Sequence, residues 1–201
     1  MLFITRGFIG IAPVLVLLAG CQPAGETKQK LEATAAPAQS PVERGKYLVT
    51  VGGCHDCHTP KTFSPNGPPE FDMTRQLSGN PAGSKVAKVP ATFIGPEGWG
   101  TAASNHLTAW VGPWGVSFAM NLTPDKDTGL GSWTEDMFVK AIRTGKHQGA
   151  PSGRDILPPM PWNWYRNWTD DDIKAVFAFL QSLPPIKNAI PDPLPPNKIP
   201  R

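Results

Sequence analysis

The stretch Cys54-His55-Asp56-Cys57-His58 constrains this chain more than any other. It reads C-x-x-C-H, the attachment sequence for a c-type haem. Two thiols at this spacing can each add to one of the two vinyl groups on a single porphyrin edge. The histidine that follows is then held beneath the ring, where its imidazole can bind the iron. Covalent attachment fixes the group even in a small, partly open fold. The protein supplies ligands, dielectric and access, while the iron supplies the redox chemistry. Two other readings of Cys-x-x-Cys compete. A structural zinc site usually takes four N/S ligands, and the only further cysteine is Cys21. A thioredoxin-like motif calls for a βαβ context, and none is visible.

The N-terminus bears on location. Arg6 supplies early positive charge, Phe8 to Leu18 is an apolar run interrupted by Pro13, and Ala19-Gly20 follow as small residues. Residues 1–20 therefore read as an export signal, too short for an ordinary membrane span of about 20 apolar residues. Leu18-Ala19-Gly20-Cys21 resembles the lipobox of bacterial lipoproteins. That resemblance implies cleavage before Cys21, a diacylglycerol thioether on its sulfur and acylation of the new amine. More than one acyl chain anchors stably, since each buried CH₂ contributes about 0.8 kcal/mol. Gln22 resembles the outer-membrane sorting pattern more than the Asp-bearing retention pattern. A cleaved signal that leaves Cys21 as a free thiol, or an uncleaved anchor, is the competing reading.

Residues 21–39 contain almost no large apolar side chain and read as a disordered tether, with a typical span of about 20–25 Å. The folded part is expected over 40–186, enough for one domain with a core. Ser40-Pro41-Val42-Glu43 predicts a helix start with Ser at the N-cap, Pro at N1 and Glu completing a capping box. Tyr47, Leu48 and Val51 are expected inward, with the helix stopping at Gly52-Gly53. Ser132-Trp133-Thr134-Glu135 reads as a second capping box, opening a helix through Met137, Phe138, Ala141 and Ile142 to Gly145. Thr169 followed by Asp170 to Asp172 begins a third helix, whose Ile173, Val176, Phe177 and Leu180 form one apolar stripe. Between Pro60 and Asp127 no helix period is visible. Lys85 to Val89 with Ala91 to Ile94 could form a small hairpin, but loop structure covering the haem edge is the preferred reading of this insertion. Residues 187–201 read as an extended, Pro-rich tail.

His58 leaves the opposite face of the iron to another ligand. Met160 is the candidate, in Leu157-Pro158-Pro159-Met160-Pro161-Trp162, where prolines stiffen the backbone. Trp162, Trp164, Tyr165 and Trp168 can wall the site from water. The rivals are Met73 in a polar loop, Met120 before a turn, Met137 on a helix face expected to be core, and His106 and His147. His55 lies inside the attachment loop and cannot reach the far face.

Three blocks carry a family resemblance: Gly45-Lys46-Tyr47-Leu48 leading into Cys54 to His58; Asn121-Leu122-Thr123-Pro124-Asp125 with Thr128 to Thr134; and Met160-Pro161 with Leu180-Gln181-Ser182-Leu183-Pro184. Over Val42 to Asn188 the chain resembles class I cytochromes c. The second block is similar to the haem-domain pattern of cytochrome subunits serving bacterial membrane alcohol, aldehyde and gluconate dehydrogenases. Those subunits often hold several haem motifs, whereas this sequence has one. The resemblance implies an all-α cytochrome c fold, here with a long insertion, and one covalent haem c bound by Cys54, Cys57, His58 and Met160. It also implies a periplasm-facing location, because bacteria attach c-type haem outside the cytoplasm.

One-electron transfer is the leading functional expectation. His/Met ligation favours a comparatively high potential, and redox encounters use weak, small interfaces. The expected partners are a dehydrogenase donor, a cytochrome or oxidase acceptor, and a membrane reached through the lipid. A subunit docked permanently on a dehydrogenase or oxidase is a second reading. A haem enzyme or gas sensor with an open sixth position is a third. The formal charge of +3, one less without Arg6, implies no nucleic-acid role. Steering would come from local cations such as Lys46, Lys61, Arg143 and Lys146. The sequence offers no Ser-His-Asp set, paired carboxylates or phosphate loop for non-haem catalysis.

Overall fold

The computed structural model describes residues 39–90, 92–95 and 97–201. The stretch read as an export signal, Cys21 and the expected tether up to residue 38 lie outside the described residues. No described helix is long and apolar enough to cross a membrane.

Three longer helices frame the molecule. The capping box opens α1 (Pro41–Val51): the Ser40 hydroxyl accepts from the Glu43 N–H, and the Glu43 carboxylate accepts from the Ser40 N–H at 3.0 Å. Its buried face is Gly45, Leu48 and Val49. Tyr47 and Val51, expected inward, are instead 52% and 60% exposed. The stripe follows i, i+3, i+4, but its first member is a glycine and adds nothing to an apolar pattern. That glycine is where α1 crosses α5 (Asp170–Gln181). A Cβ on Gly45 would press into the Ala175 carbonyl and stand 2.8 Å from Phe179 Cβ.

Thr169 caps α5 through the Asp172 N–H, and the expected stripe of Ile173, Val176, Phe177 and Leu180 is buried. Ala175 and Phe179 are buried as well, because α5 packs against both α1 and α3 (Glu135–Thr144). Helix α3 starts later than the second capping box predicts. Thr134, not Ser132, is the N-cap and accepts from the Met137 N–H at 3.2 Å. The Trp133 N–H is turned back to the Leu130 carbonyl, so the chain is not yet helical at 132–133. Gly145 closes α3 in the left-handed region at φ 69. Phe138, Ala141 and Ile142 are buried, whereas Met137 is only half-buried and outside the core. The remaining helices are short: α2 (Cys54–His58) carries the Cys-x-x-Cys-His segment, and α4 (Trp162–Tyr165) follows Met160.

The expectation of an all-α fold holds for this frame and fails for the insertion. There β1 (Lys61–Thr62) pairs antiparallel with β2 (Glu70–Phe71), and β3 (Ala102–Ala103), β4 (Ala109–Gly112) and β5 (Gly115–Phe118) form a second antiparallel sheet. The small hairpin considered over 85–94 does not form, and the described residues there are loop. Residues 85–89 form no strand, and the Val89 N–H bonds the Pro200 carbonyl at 2.9 Å. The real hairpin turns at Pro113-Trp114, between Gly112 and Gly115. Gly115 sits at φ 105, and a Cβ there would meet the Leu194 carbonyl.

The Pro-rich tail also differs from a free appendage. Leu194 pairs with Val116, and Ile199 is buried with Val89, Val111 and Val116 in a second, smaller core. Asn188 locks the tail in place. Its Nδ2 donates to the Ser78 and Asn80 carbonyls at 2.6 and 2.9 Å, and its Oδ1 accepts from the Ala82 N–H at 2.8 Å.

Candidate functional site

Gly53, at φ 65, turns the end of α1 into α2 and so swings the cysteine–histidine segment onto the helical core. Cys54, Cys57 and His58 line a cavity of about 1370 Å³, counting its open mouth. The walls are apolar side chains of the core, among them Leu130, Phe138, Ile173 and Leu180. Met160 lines the same cavity from the segment between α3 and α5. The fold thus brings the four residues singled out in the sequence to one apolar space. Cys21 lies outside the described residues.

His58 is buried, and its Nδ1 lies 2.7 Å from the Met120 carbonyl oxygen. A carbonyl can only accept, so Nδ1 carries the proton and donates. Nε2 is then the bare nitrogen, and it has no hydrogen-bond partner among the described residues. This tautomer is the one a metal ligand needs. Burial holds the imidazole below its usual range, which also favours the neutral ring. The carbonyl behind His58 is fixed by the following turn. Asn121 Oδ1 accepts from the Thr123 N–H at 3.0 Å, and its Nδ2 donates to the Ile186 carbonyl at 2.8 Å. The Asn-Leu-Thr-Pro block thus serves as the brace behind His58.

Burial pushes the Cys54 thiol up to about 12 and the Cys57 thiol up as well. Both sulfurs are unpaired and protonated at neutral pH. No group of three His, Cys, Asp or Glu side chains gathers as a metal site among the described residues. The strands are short and antiparallel, so the βαβ setting of a thioredoxin-like site is absent among the described residues.

Above the cavity, the Met160 segment is tied to the insertion. The Ser117 hydroxyl on β5 donates to the Pro158 carbonyl at 2.5 Å and accepts from the Trp114 indole at 3.3 Å. Of the four aromatics expected to wall the site, Tyr165 and Trp168 do, with ring centroids 4.7 Å apart. The Tyr165 hydroxyl donates to the Gly52 carbonyl at 2.5 Å, joining α4 to the end of α1. Trp164 points away and is 70% exposed, and Trp162 packs under Gly145.

The rival ligands separate. Met73 is 55% exposed, and His106 accepts from the Lys61 N–H at 3.2 Å. Met120 lines the cavity, but its carbonyl stands behind the His58 ring. His147 is on the cavity wall too, edge-on to Trp133 at 5.3 Å. Burial, with a smaller contribution from Arg154, keeps its imidazole below its usual range.

Several residues of the site were not singled out from the sequence. Trp110, Trp133 and Arg154 also line the cavity. The Trp110 Nε1–H is buried without a partner among the described residues. Arg154 makes no ion pair with a described carboxylate. An unpartnered donor and an unpaired cation beside an apolar slot fit a flat group carrying anionic substituents, as a haem with its two propionates does. No sequence signal marked them, since each gains its place at the cavity only through the fold.

The chain is similar to several curated proteins over about three quarters of its length. It is 35% identical over 150 residues to a nicotinate dehydrogenase component of Pseudomonas putida, covering 75% of this chain and 9% of that protein. It is 30% identical over 152 residues to the gluconate 2-dehydrogenase cytochrome c subunit of Pantoea cypripedii, covering 75% and 25%. It is 28% identical over 146 residues to the alcohol dehydrogenase (quinone) cytochrome c subunit of Gluconobacter oxydans, covering 72% and 24%. The chain thus spans a quarter or less of the length of each of these relatives. No family model matches. The relation these sequences support is to the cytochrome c family, through the cytochrome c subunits of dehydrogenases.

Proposed function

We propose that this chain is a one-electron carrier with a single haem c, bound covalently through Cys54 and Cys57 and ligated by His58 and Met160. The observation that carries the reading is the set of Cys54, Cys57, His58 and Met160 on one apolar cavity, with the bare Nε2 of His58 presented for a metal. When bound, the haem iron supplies reversible one-electron chemistry. The residues do the rest. Met120 holds the His58 tautomer from behind, and the core side chains keep water from the slot. Ser117 and Trp114 fix the backbone two residues before Met160. Arg154 and Trp110 are assigned to the propionates. Met160 is preferred to Met120 because residue 120 already stands behind the imidazole, whereas the far face must be reached from elsewhere.

The chain acts outside the cytoplasm, anchored by lipid on Cys21, and exchanges electrons with a dehydrogenase donor and a cytochrome or oxidase acceptor. The names of its relatives favour a second reading, a subunit docked on a dehydrogenase. Co-purification with a large partner favours the docked form; a monomer with fast exchange favours the free carrier.

The test is an intact mass and visible spectrum of the full chain expressed with a cytochrome c maturation system. Haem retained through acid–acetone extraction is the expected result; loss of colour from the polypeptide ends the reading. In the oxidised spectrum a weak red-end band reports sulfur on iron. Met160→Ala removes it and lowers the potential. A wild-type spectrum without that band transfers the sixth position to His147.

A further inference from the structure

Lys61 is a buried lysine with no described carboxylate in direct contact with it: it is 6% exposed, and none lies within ion-pair distance of its ammonium. The reason for its burial lies in α2. The carbonyl of Asp56 would take its helical hydrogen bond from the N–H of residue 60, but residue 60 is a proline. Lys61 Nζ supplies the missing donor at 2.9 Å and also bonds the Thr59 carbonyl at 2.8 Å. Its third side faces the ring of Phe71, its cross-strand neighbour, with 4.2 Å to the centroid. The ammonium is satisfied by two carbonyls and a π face, and its charge is only partly offset, by the Asp56 carboxylate beyond ion-pair distance.

We propose that Lys61 tunes the redox centre electrostatically: it fixes one positive charge behind the turn that carries Cys57 and His58, and so favours the reduced state. The inference rests on the electron-carrier reading. One electron taken from the donor protein lowers the positive charge of the centre by one unit. A fixed cation nearby therefore opposes the oxidised form. Burial makes the effect stronger than an exposed lysine could produce and protects it from salt. Lys61 is a positioning residue for the attachment turn as well. A carboxylate set beside the ammonium reports whether charge at this place is felt by the redox centre, which the geometry of a clamp does not determine.

The experiment is a redox titration of the haem-loaded full chain, followed by visible absorbance, for three variants. Lys61→Met removes the charge. Phe71→Glu, at a position 44% exposed on β2, keeps the lysine and sets a carboxylate against it. Phe71→Leu removes the ring without adding charge. Lys61→Met and Phe71→Glu both lower the midpoint potential, and Phe71→Leu leaves it in place. The Lys61→Met shift persists in about 1 M salt, where the screening length is about 3 Å. If Lys61→Met does not fold, Phe71→Glu decides by itself. Covalent haem with an unmoved midpoint in Phe71→Glu overturns the inference and leaves the carrier reading standing. Wild-type chain without covalent haem overturns both.

Discussion

In the helical frame, apolar side chains of α1, α3 and α5 meet in one core, and Leu77 and Leu130 arrive from loops to fill it. In the insertion and tail only Val89, Val111, Val116 and Ile199 are buried together. What holds that second region is polar: Asn188 bridging residues 78–82, the Thr108 hydroxyl donating to Asn80 at 3.0 Å, and the Leu194–Val116 pairing. One region is thus built by burial and the other by hydrogen bonds across long separations. The contrast explains the division of labour at the cavity. The frame supplies the attachment segment and the apolar floor. The β4–β5 hairpin supplies the Ser117 tie to the Met160 segment and the Trp110 donor.

The sharpest way to break the comparison is at the two glycine contacts. Gly45→Ala forces apart the α1–α5 crossing and costs about 3 kcal/mol, because both neighbours are backbone or near it. Helical circular dichroism and covalent haem yield fall together. Gly115→Ala costs about 2 kcal/mol through its positive φ and the Leu194 carbonyl. Its loss is confined to the insertion, so hydrogen exchange rises at Val116 and Leu194 while the helices stay protected. If both variants lose helix to the same extent, the two regions are one cooperative unit and the comparison fails.

Asn188→Ala leaves two buried carbonyls without a partner and frees the Ala82 N–H, for about 2 kcal/mol in thermal unfolding. An apolar replacement, Asn188→Leu, does not recover it, whereas an equivalent swap in the frame would. Ser40→Ala removes one half of the α1 capping box and costs about 1 kcal/mol, read by chemical denaturation.

The smallest effect is a pH dependence in the frame. Arg44 on α1 donates to the Asp172 carboxylate on α5 at 2.8 Å. That hydrogen bond, with help from Thr169, holds the Asp172 carboxyl below its ordinary value against the cost of burial. A carboxyl lowered on folding adds stability above its unfolded pKa, about 3.9. The contribution fades as pH falls through the lower, folded value. Stability of the wild type therefore drops more steeply in acid than that of Asp172→Asn, as urea titrations at pH 7 and below pH 4 would show. Parallel pH profiles for the two proteins would remove Arg44–Asp172 from the account.

How much of this was legible in the sequence follows the same divide. The start of α1 was, because a capping box is local chemistry within four residues. The stripe of α5 was, because every member carries an apolar side chain at helical spacing. The inward face of α1 was misread where a glycine stands in for a side chain, and the start of α3 was displaced by a turn at Trp133. The strands were missed because each spans only two to four residues, too few for an alternating pattern to show, and β5 takes a further partner, Leu194, far along the chain.

The sequence by itself placed two thiols and an imidazole at fixed spacing and a proline-flanked methionine far along the chain. That much is local and needs no fold. Only the tertiary structure decided which tautomer His58 adopts, which aromatics face the cavity, and that a lysine is buried behind the attachment turn. Each of these depends on a carbonyl, a ring or a solvent boundary supplied by another part of the chain, and such groups acquire their meaning only when the backbone brings them within a few ångströms.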